Sequence, residues 1–255
     1  MPRYKLTIEY DGTQYAGWQK QPDQPTVQQK LGEAVKKFCG VESEVVGAGR
    51  TDAGVHAIAQ VGHVDLPKEY DDYSVMQGLN FYLFNASDND ATIPTDRIAV
   101  TNAERVGDDF NARFSATRRH YIYRIINRRA RLGLELGRAW QVAEDLDIGK
   151  MQQAANYLLG THDFTSFRDT ACQAKSPEKT LDTLEIRRQG ENVIVQTNAR
   201  SFLHHQVRIM VGTLAMAGKG KWSPEDVKAA LEAKDRAAAG PTAPAGGLYL
   251  LKVDY

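Results

Sequence analysis

Gly47-Ala48-Gly49-Arg50-Thr51-Asp52-Ala53-Gly54-Val55-His56 gathers a carboxylate, a cation and a hydroxyl in one glycine-punctuated turn. Glycines let backbone approach a ligand and adopt dihedrals closed to other residues. Polar groups on a turn between strands are well placed for chemistry. A phosphate loop would need Gly-x4-Gly-Lys-Ser/Thr, and that order does not occur. An aspartic-protease pair would need a second copy of Asp52-Ala53-Gly54, and there is none. Two readings stay open. Either Asp52 caps backbone N–H groups of a tight turn, or it is a lone nucleophile or general base kept ionised by Arg50 or another cation.

The second candidate is Arg118-Arg119-His120-Tyr121-Ile122-Tyr123-Arg124. Strand alternation puts Arg119, Tyr121 and Tyr123 on one face and Arg118, His120, Ile122 and Arg124 on the other. Arginines contact phosphates and aromatic faces stack on unpaired bases. The competing reading is a basic edge strand with its tyrosines in the core. Arg208 lies among Val207, Ile209, Met210 and Val211. It is a surface charge or a buried cation facing a carboxylate. His204 and His205, adjacent at a helix start, are expected to point to different faces. His56 and His63 are expected on opposite sides of a strand, so no metal site is expected. His162-Asp163 resembles half a charge relay, but no Gly-x-Ser-x-Gly elbow accompanies it.

These residues need elements to hold them. Tyr4, Leu6, Ile8 and Tyr10 alternate as a strand. Val27, Leu31, Ala34, Val35 and Phe38 recur at helical spacing, with Thr26 and Gln29 as a capping box and Gly40 as the stop. Extended stretches are predicted over 44–48, 55–66, 98–106 and 118–126. Helices are predicted around Val75–Leu83, after Asp147 as far as Gly160, around Leu203–Leu214, and from Ser223-Pro224. Leu181–Arg188 and Asn192–Asn198 read as a hairpin around Gly190. Tyr249, Leu251, Val253 and Tyr255 alternate as a last strand. Strands with interspersed helices, twice over, predict an α+β protein of two similar halves, 1–109 and 110–255, around a mainly antiparallel sheet.

Composition narrows the class. The 255 residues carry 32 Lys plus Arg and 32 Asp plus Glu, a net charge of zero. That argues against a partner held by bulk charge. The charge is nonetheless uneven. Seven arginines (113, 118, 119, 124, 128, 129 and 131) form a run with no acid, while acids cluster elsewhere, among them Asp88 and Asp90. Binding confined to one basic face is the expectation, sensitive to reversal at Arg119 or Arg124. No apolar run reaches the length of a membrane span. The alternating N-terminus does not read as a signal peptide. Two cysteines, Cys39 and Cys172, exclude a disulfide scaffold and fit a reducing cytoplasm.

Gly49–Ala57 resembles the signature of the tRNA pseudouridine synthase A family. Blocks in the same order extend the resemblance over nearly the whole chain: Tyr10–Thr13, Gly17-Trp18-Gln19, Phe110–Ala116, Tyr121–Tyr123, Asp163–Phe167, Phe202–Arg208 and Ala239–Pro244. It implies the pseudouridine synthase fold with an active-site cleft between its halves. It implies isomerisation of uridine to pseudouridine at positions 38, 39 and 40 in the anticodon arm of tRNA, by a homodimer without cofactor or catalytic metal. Asp52 falls on the catalytic aspartate, Tyr121 on the base-stacking tyrosine, Arg208 on the arginine that pairs with the aspartate, and Arg50 on the arginine that displaces the base. Phe110, Asn111, Ala112, Arg113, Phe114 and Arg119 fall on RNA-contacting positions. So do Ala171, Cys172, Gln173, Ala174 and Lys175, where a single cation departs from the pattern. Ile209 stands where relatives often carry a polar residue. Against this isomerase stand a non-catalytic RNA-binding module using the arginine stretch and a hydrolase using Asp52 and His56. Only the isomerase would convert uridine in bound tRNA with no change of mass.

Overall fold

A computed structural model describes residues 1–84 and 96–255, so Asp88 and Asp90 lie outside the described residues. Ten strands and five helices follow in chain order among them. They are β1 (Arg3–Tyr10), α1 (Val27–Cys39), β2 (Val46–Gly47), β3 (His56–Asp65), α2 (Asp72–Phe84), β4 (Ile98–Val106), β5 (Arg118–Asn127), β6 (Trp140–Val142), α3 (Ile148–Asn156), β7 (Gly160–Asp163), β8 (Glu178–Gln189), β9 (Asn192–Ala199), α4 (Gln206–Gly218), α5 (Pro224–Ala233) and β10 (Leu248–Asp254). The chain forms two compact units, Met1–Thr117 with Leu250–Tyr255, and Arg118–Tyr249.

In the first unit the strands run in the order β4-β1-β3-β10, with β2 paired to β3. β1 is antiparallel to both β3 and β4. Its alternation buries Tyr4, Leu6, Ile8 and Tyr10 on one face. The helical spacing of α1 buries Val27, Leu31, Ala34 and Val35. Thr26 accepts the Gln29 N–H, and Gly40 ends the helix in the left-handed region. The reciprocal arm of the expected box is missing, because the Gln29 amide donates to Glu33 at 2.9 Å. The extended stretch expected over 44–48 shortens to the two residues of β2. In β10 the buried residues are Leu248, Leu250 and Val253. The alternation slips because keeping it would bury Lys252 and Asp254, which instead pair in solvent at 2.6 Å.

In the second unit the order is β5-β9-β8-β7, with the short β6 parallel to β5. β8 and β9 form the hairpin, turning at Gly190 with φ +58°. α3 and α5 pack with α4, and α3 lies on β8. Asp147 caps α3 and Ser223 with Asp226 caps α5 reciprocally. Gly160 does not close α3, which ends at Asn156. Its φ of +91° instead turns the chain into β7 opposite Leu181. α4 is apolar all round and buried nearly throughout, as such a helix must be. No helix among the described residues is long and apolar enough to cross a membrane.

His63 shows how this framework holds a loop. The Ala112 N–H donates to its Nδ1 at 3.1 Å, which requires a neutral ring. Burial, then the charge of Arg3, push its pKa down, with Asp65 opposing. The unfolded chain therefore takes up the proton first, so this contribution is complete above about pH 6.5 and is lost as pH falls below it. As pH falls from about 7.5 to about 5.5 the wild type is expected to lose stability in denaturant melts. His63→Asn, which retains an acceptor without titrating, should lack that component.

Candidate active site

The Asp52 turn is fixed through its carbonyls. The Trp18 N–H donates to the Thr51 carbonyl at 3.0 Å, the Val55 N–H to the Asp52 carbonyl at 3.1 Å, and the Gln60 amide to the Gly49 carbonyl at 2.8 Å. The Tyr10 and Thr51 hydroxyls share a hydrogen bond of 2.7 Å. Burial pushes the Tyr10 hydroxyl up to about 12, against the pull of its bonds to Thr51 and Gln60, so it stays a neutral partner. Glycines make the approach possible. A Cβ on Gly17 would lie 2.5 Å from the Thr51 carbonyl oxygen, and Gly17 has φ +96°. A Cβ on Gly12 would lie 2.0 Å from the Val55 carbonyl oxygen. Within this frame Thr51 and His56 are buried, Asp52 is half-buried and Arg50 is exposed. The His56 Nδ1 accepts the Gly12 N–H at 2.9 Å, which ties the far end of the turn to the end of β1. Tyr10, Gly17, Trp18 and Gln60 hold the turn, a task that their types and spacing do not announce.

The second unit carries Tyr121, Arg119 and Arg208. The alternation in β5 holds. Arg119, Tyr121, Tyr123 and Ile125 are buried, while Arg118, His120, Ile122 and Arg124 are not. The β5 tyrosines part ways along that face. The Tyr123 hydroxyl donates to the Pro244 carbonyl at 2.7 Å, and burial pushes its pKa far up, with Arg208 pulling weakly the other way. Tyr121 meets the Phe202 ring edge-to-face at 5.2 Å. Arg119 donates to the Arg200 carbonyl at 2.7 Å.

Arg208 is the one charged residue of α4 and, with Met216, the only residue there that is not fully buried. Ile209 faces the core with no exposure. A strap from Gly240 to Pro244 holds this helix. The Gly240 N–H donates to the Thr213 hydroxyl at 3.0 Å, the Ala243 N–H to the Arg208 carbonyl at 3.1 Å, and Arg208 Nε to the Ala243 carbonyl at 2.9 Å. A Cβ on Gly212 would sit 1.8 Å from the Pro241 carbonyl oxygen, so the helix must be bare there. His204 and His205 do not diverge as expected. They precede the first turn of α4, and their rings stack with centroids 4.0 Å apart beside Asp169. The Asp169 carboxyl lies below the ordinary carboxylate range, chiefly through the Ala171 N–H and then through His205. His162 and Asp163 do not pair with each other: the His162 ring meets the Leu159 carbonyl, and Asp163 accepts from Thr165.

In the 110–114 loop, Ala112 is buried, with its N–H on His63 and its carbonyl on the Tyr255 hydroxyl. Asn111 accepts the Arg113 and Phe114 N–H groups. Phe110 packs on Tyr255. Arg113 and Phe114 are exposed, the guanidinium 5.5 Å from the ring centroid. In 171–175, Cys172 is buried and Ala174 half-buried, while Ala171, Gln173 and Lys175 are exposed. Three of the seven arginines meet acids from elsewhere: Arg118 with Asp182 at 3.0 Å, Arg124 with Glu135 at 3.0 Å and Arg128 with Glu191 at 2.9 Å.

The family model described as tRNA pseudouridine synthase matches residues 6–115 and 154–255. Proteins named tRNA pseudouridine synthase A from Xanthobacter autotrophicus and Rhodopseudomonas palustris (strain BisB18) are each 56% identical over 255 residues, covering all of both chains. One from Maricaulis maris is 53% identical over all of this chain and 98% of its own. The chain belongs to the tRNA pseudouridine synthase family. The synthase is an isomerase that converts uridine in tRNA to pseudouridine. The matched segments of the synthase include Asp52, Phe110–Phe114, 171–175 and Arg208. Arg119 and Tyr121 fall between those segments but within the full-length relatives.

The glycine geometry makes a contrast available. Gly17→Ala should lower synthase turnover on the order of ten- to a hundredfold, because Thr51 must shift to clear the new methyl. Gly40→Ala meets open space. It should cost about 1 kcal/mol of stability from its left-handed φ and leave turnover unchanged. Steady-state kinetics and melting curves on both variants check this.

Proposed function

We propose that the uridines isomerised are those at positions 38, 39 and 40 of the tRNA anticodon arm. Asp52 is the nucleophile, Tyr121 the platform and proton-transfer group, and Arg208 the cation that keeps Asp52 ionised. The observation that carries this reading is the Asp52 turn. Its carbonyls at Gly49, Thr51 and Asp52 are tied inward while its acid stays half-exposed on a fixed backbone. That is what a preorganised nucleophile requires.

The reaction breaks the C1′–N1 bond, turns the base and rejoins it through C5. A uridine within a stem must first leave the stack, at a cost of a few kcal/mol. An exposed Arg50 entering the gap and an aromatic ring under the flipped base offset that cost. A carboxylate attacking C1′ or C6 must be an anion, and a neighbouring guanidinium keeps it one. Tyr121 can donate or accept a proton late in the reaction. Arg119 holds the strand that presents Tyr121. Phe110, Asn111 and Ala112 brace the loop, so that Arg113 and Phe114 meet the RNA backbone and bases. The 171–175 loop contributes Lys175. The synthase works as a homodimer, each tRNA touching both subunits. Its two free thiols, Cys39 and Cys172, suit the reducing cytoplasm.

Pseudouridine mapping on unmodified tRNA transcripts tests the positions. Asp52→Asn is expected to abolish conversion while tRNA binding stays near normal. A variant that still forms pseudouridine would remove Asp52 from the role. Tyr121→Phe should keep binding and lose turnover, whereas Tyr121→Ala should weaken both. Arg113→Glu should weaken tRNA binding and reduce its salt slope by about one. Lys228→Glu should do neither.

A further inference from the structure

The turn after Phe167 and the turn before α4 are stitched together by one residue. The Asp169 backbone N–H donates to the His204 carbonyl at 3.1 Å, and its carbonyl accepts the Cys172 N–H at 3.0 Å. Its carboxylate accepts the Ala171 N–H at 2.8 Å on one oxygen and meets His205 Nδ1 at 2.7 Å with the other. The His204 N–H closes the ring of contacts on the Cys172 sulfur at 3.4 Å. His205 has φ +61°, one of only three non-glycine residues with positive φ among the described residues. Such a conformation is costly for a residue with a Cβ and persists only where the surroundings over-determine it. It also matters for direction. The Ile209 N–H donates to the His205 carbonyl at 2.9 Å, so His205 starts the helical turn that contains Arg208.

We infer that Asp169 is a positioning residue, which holds His205 in its left-handed conformation and thereby aims Arg208. The inference rests on the reading of Arg208 given under Proposed function. Asp169 acts through backbone geometry, so its loss should be repaired by a residue that adopts that geometry unaided. Glycine does so. The histidine ring is then the handle by which Asp169 holds the backbone.

The test measures single-turnover pseudouridine formation and tRNA binding for four variants. Asp169→Ala should lower the rate on the order of ten- to a hundredfold, with a much smaller change in Kd. His205→Gly alone should stay close to wild type. Asp169→Ala with His205→Gly should recover most of the lost rate. Should Asp169→Ala fail to fold, Asp169→Leu, which keeps the bulk and removes both oxygens, carries the same comparison and the same rescue. An unimpaired Asp169 variant, an inactive His205→Gly or an unrescued double variant each overturns the inference. Arg208→Ala separates the two layers. If it is inactive while Asp169→Ala is fully active, the clamp fails and the Arg208 reading stands. If Arg208→Ala is fully active, the Arg208 reading itself fails.

Discussion

The Thr51 carbonyl sits against the α-carbon of Gly17 and accepts the N–H of Trp18 at 3.0 Å. No side chain fits between these two backbones, so the Asp52 turn is fixed against the Gly17-Trp18 loop. The rest of the first unit is arranged around this approach. Gly12 gives the Val55 carbonyl the same clearance, and Gly47 gives it to the Trp18 ring. Gln60 and Tyr10 supply the remaining partners from β3 and β1. The result separates two demands that usually conflict. The turn carbonyls of Gly49, Thr51 and Asp52 are satisfied inside the protein, and the Asp52 residue is only half-buried.

The second unit meets the same conflict with a helix. α4 is buried nearly throughout, yet it carries one guanidinium that is only half-buried. The strap at 240–244 resolves this by covering the helix with backbone, where a bare Gly212 allows it, and by giving Arg208 Nε a carbonyl to hold. Tyr123 braces the strap from below, and its high pKa keeps the hydroxyl a donor throughout the working range. Tyr123 and Tyr121 are both buried on one face of β5, the first bound to the Pro244 carbonyl and the second edge-to-face with Phe202.

Net charge is a poor guide to this protein because folding redistributes it. The arginine run looks like one basic patch in the sequence, but Arg118, Arg124 and Arg128 meet Asp182, Glu135 and Glu191. The acids are equally committed. Asp65 pairs with Arg3, Asp147 caps α3 and Asp72 accepts the Arg105 N–H. Arg129 and Arg131 are among those exposed to solvent. The basic face is therefore narrower than a count of arginines suggests.

Local chemistry wrote much of this into the sequence. Periods of two and 3.6 located the five helices and the longer strands, since each depends on neighbours along the chain, while the short β6 and β7 carry too few residues to show a period. Thr26, Asp147 and Ser223 marked helix starts because a cap acts within three residues. Asp52 was legible for a similar reason: the glycines that permit its turn lie beside it. Tertiary structure decided what depends on distant residues. It chose which end of the Asp52 turn Gln60 and Tyr10 would hold, which arginines would meet an acid, and that His204 and His205 would lie against each other beside Asp169 and not diverge. It also shifted the burial phase of β10, where Leu248 and Leu250 are buried in place of Tyr249 and Leu251. Hydrogen bonds, ion pairs and desolvation act through space, and no spacing along the chain reports which partner folding will bring.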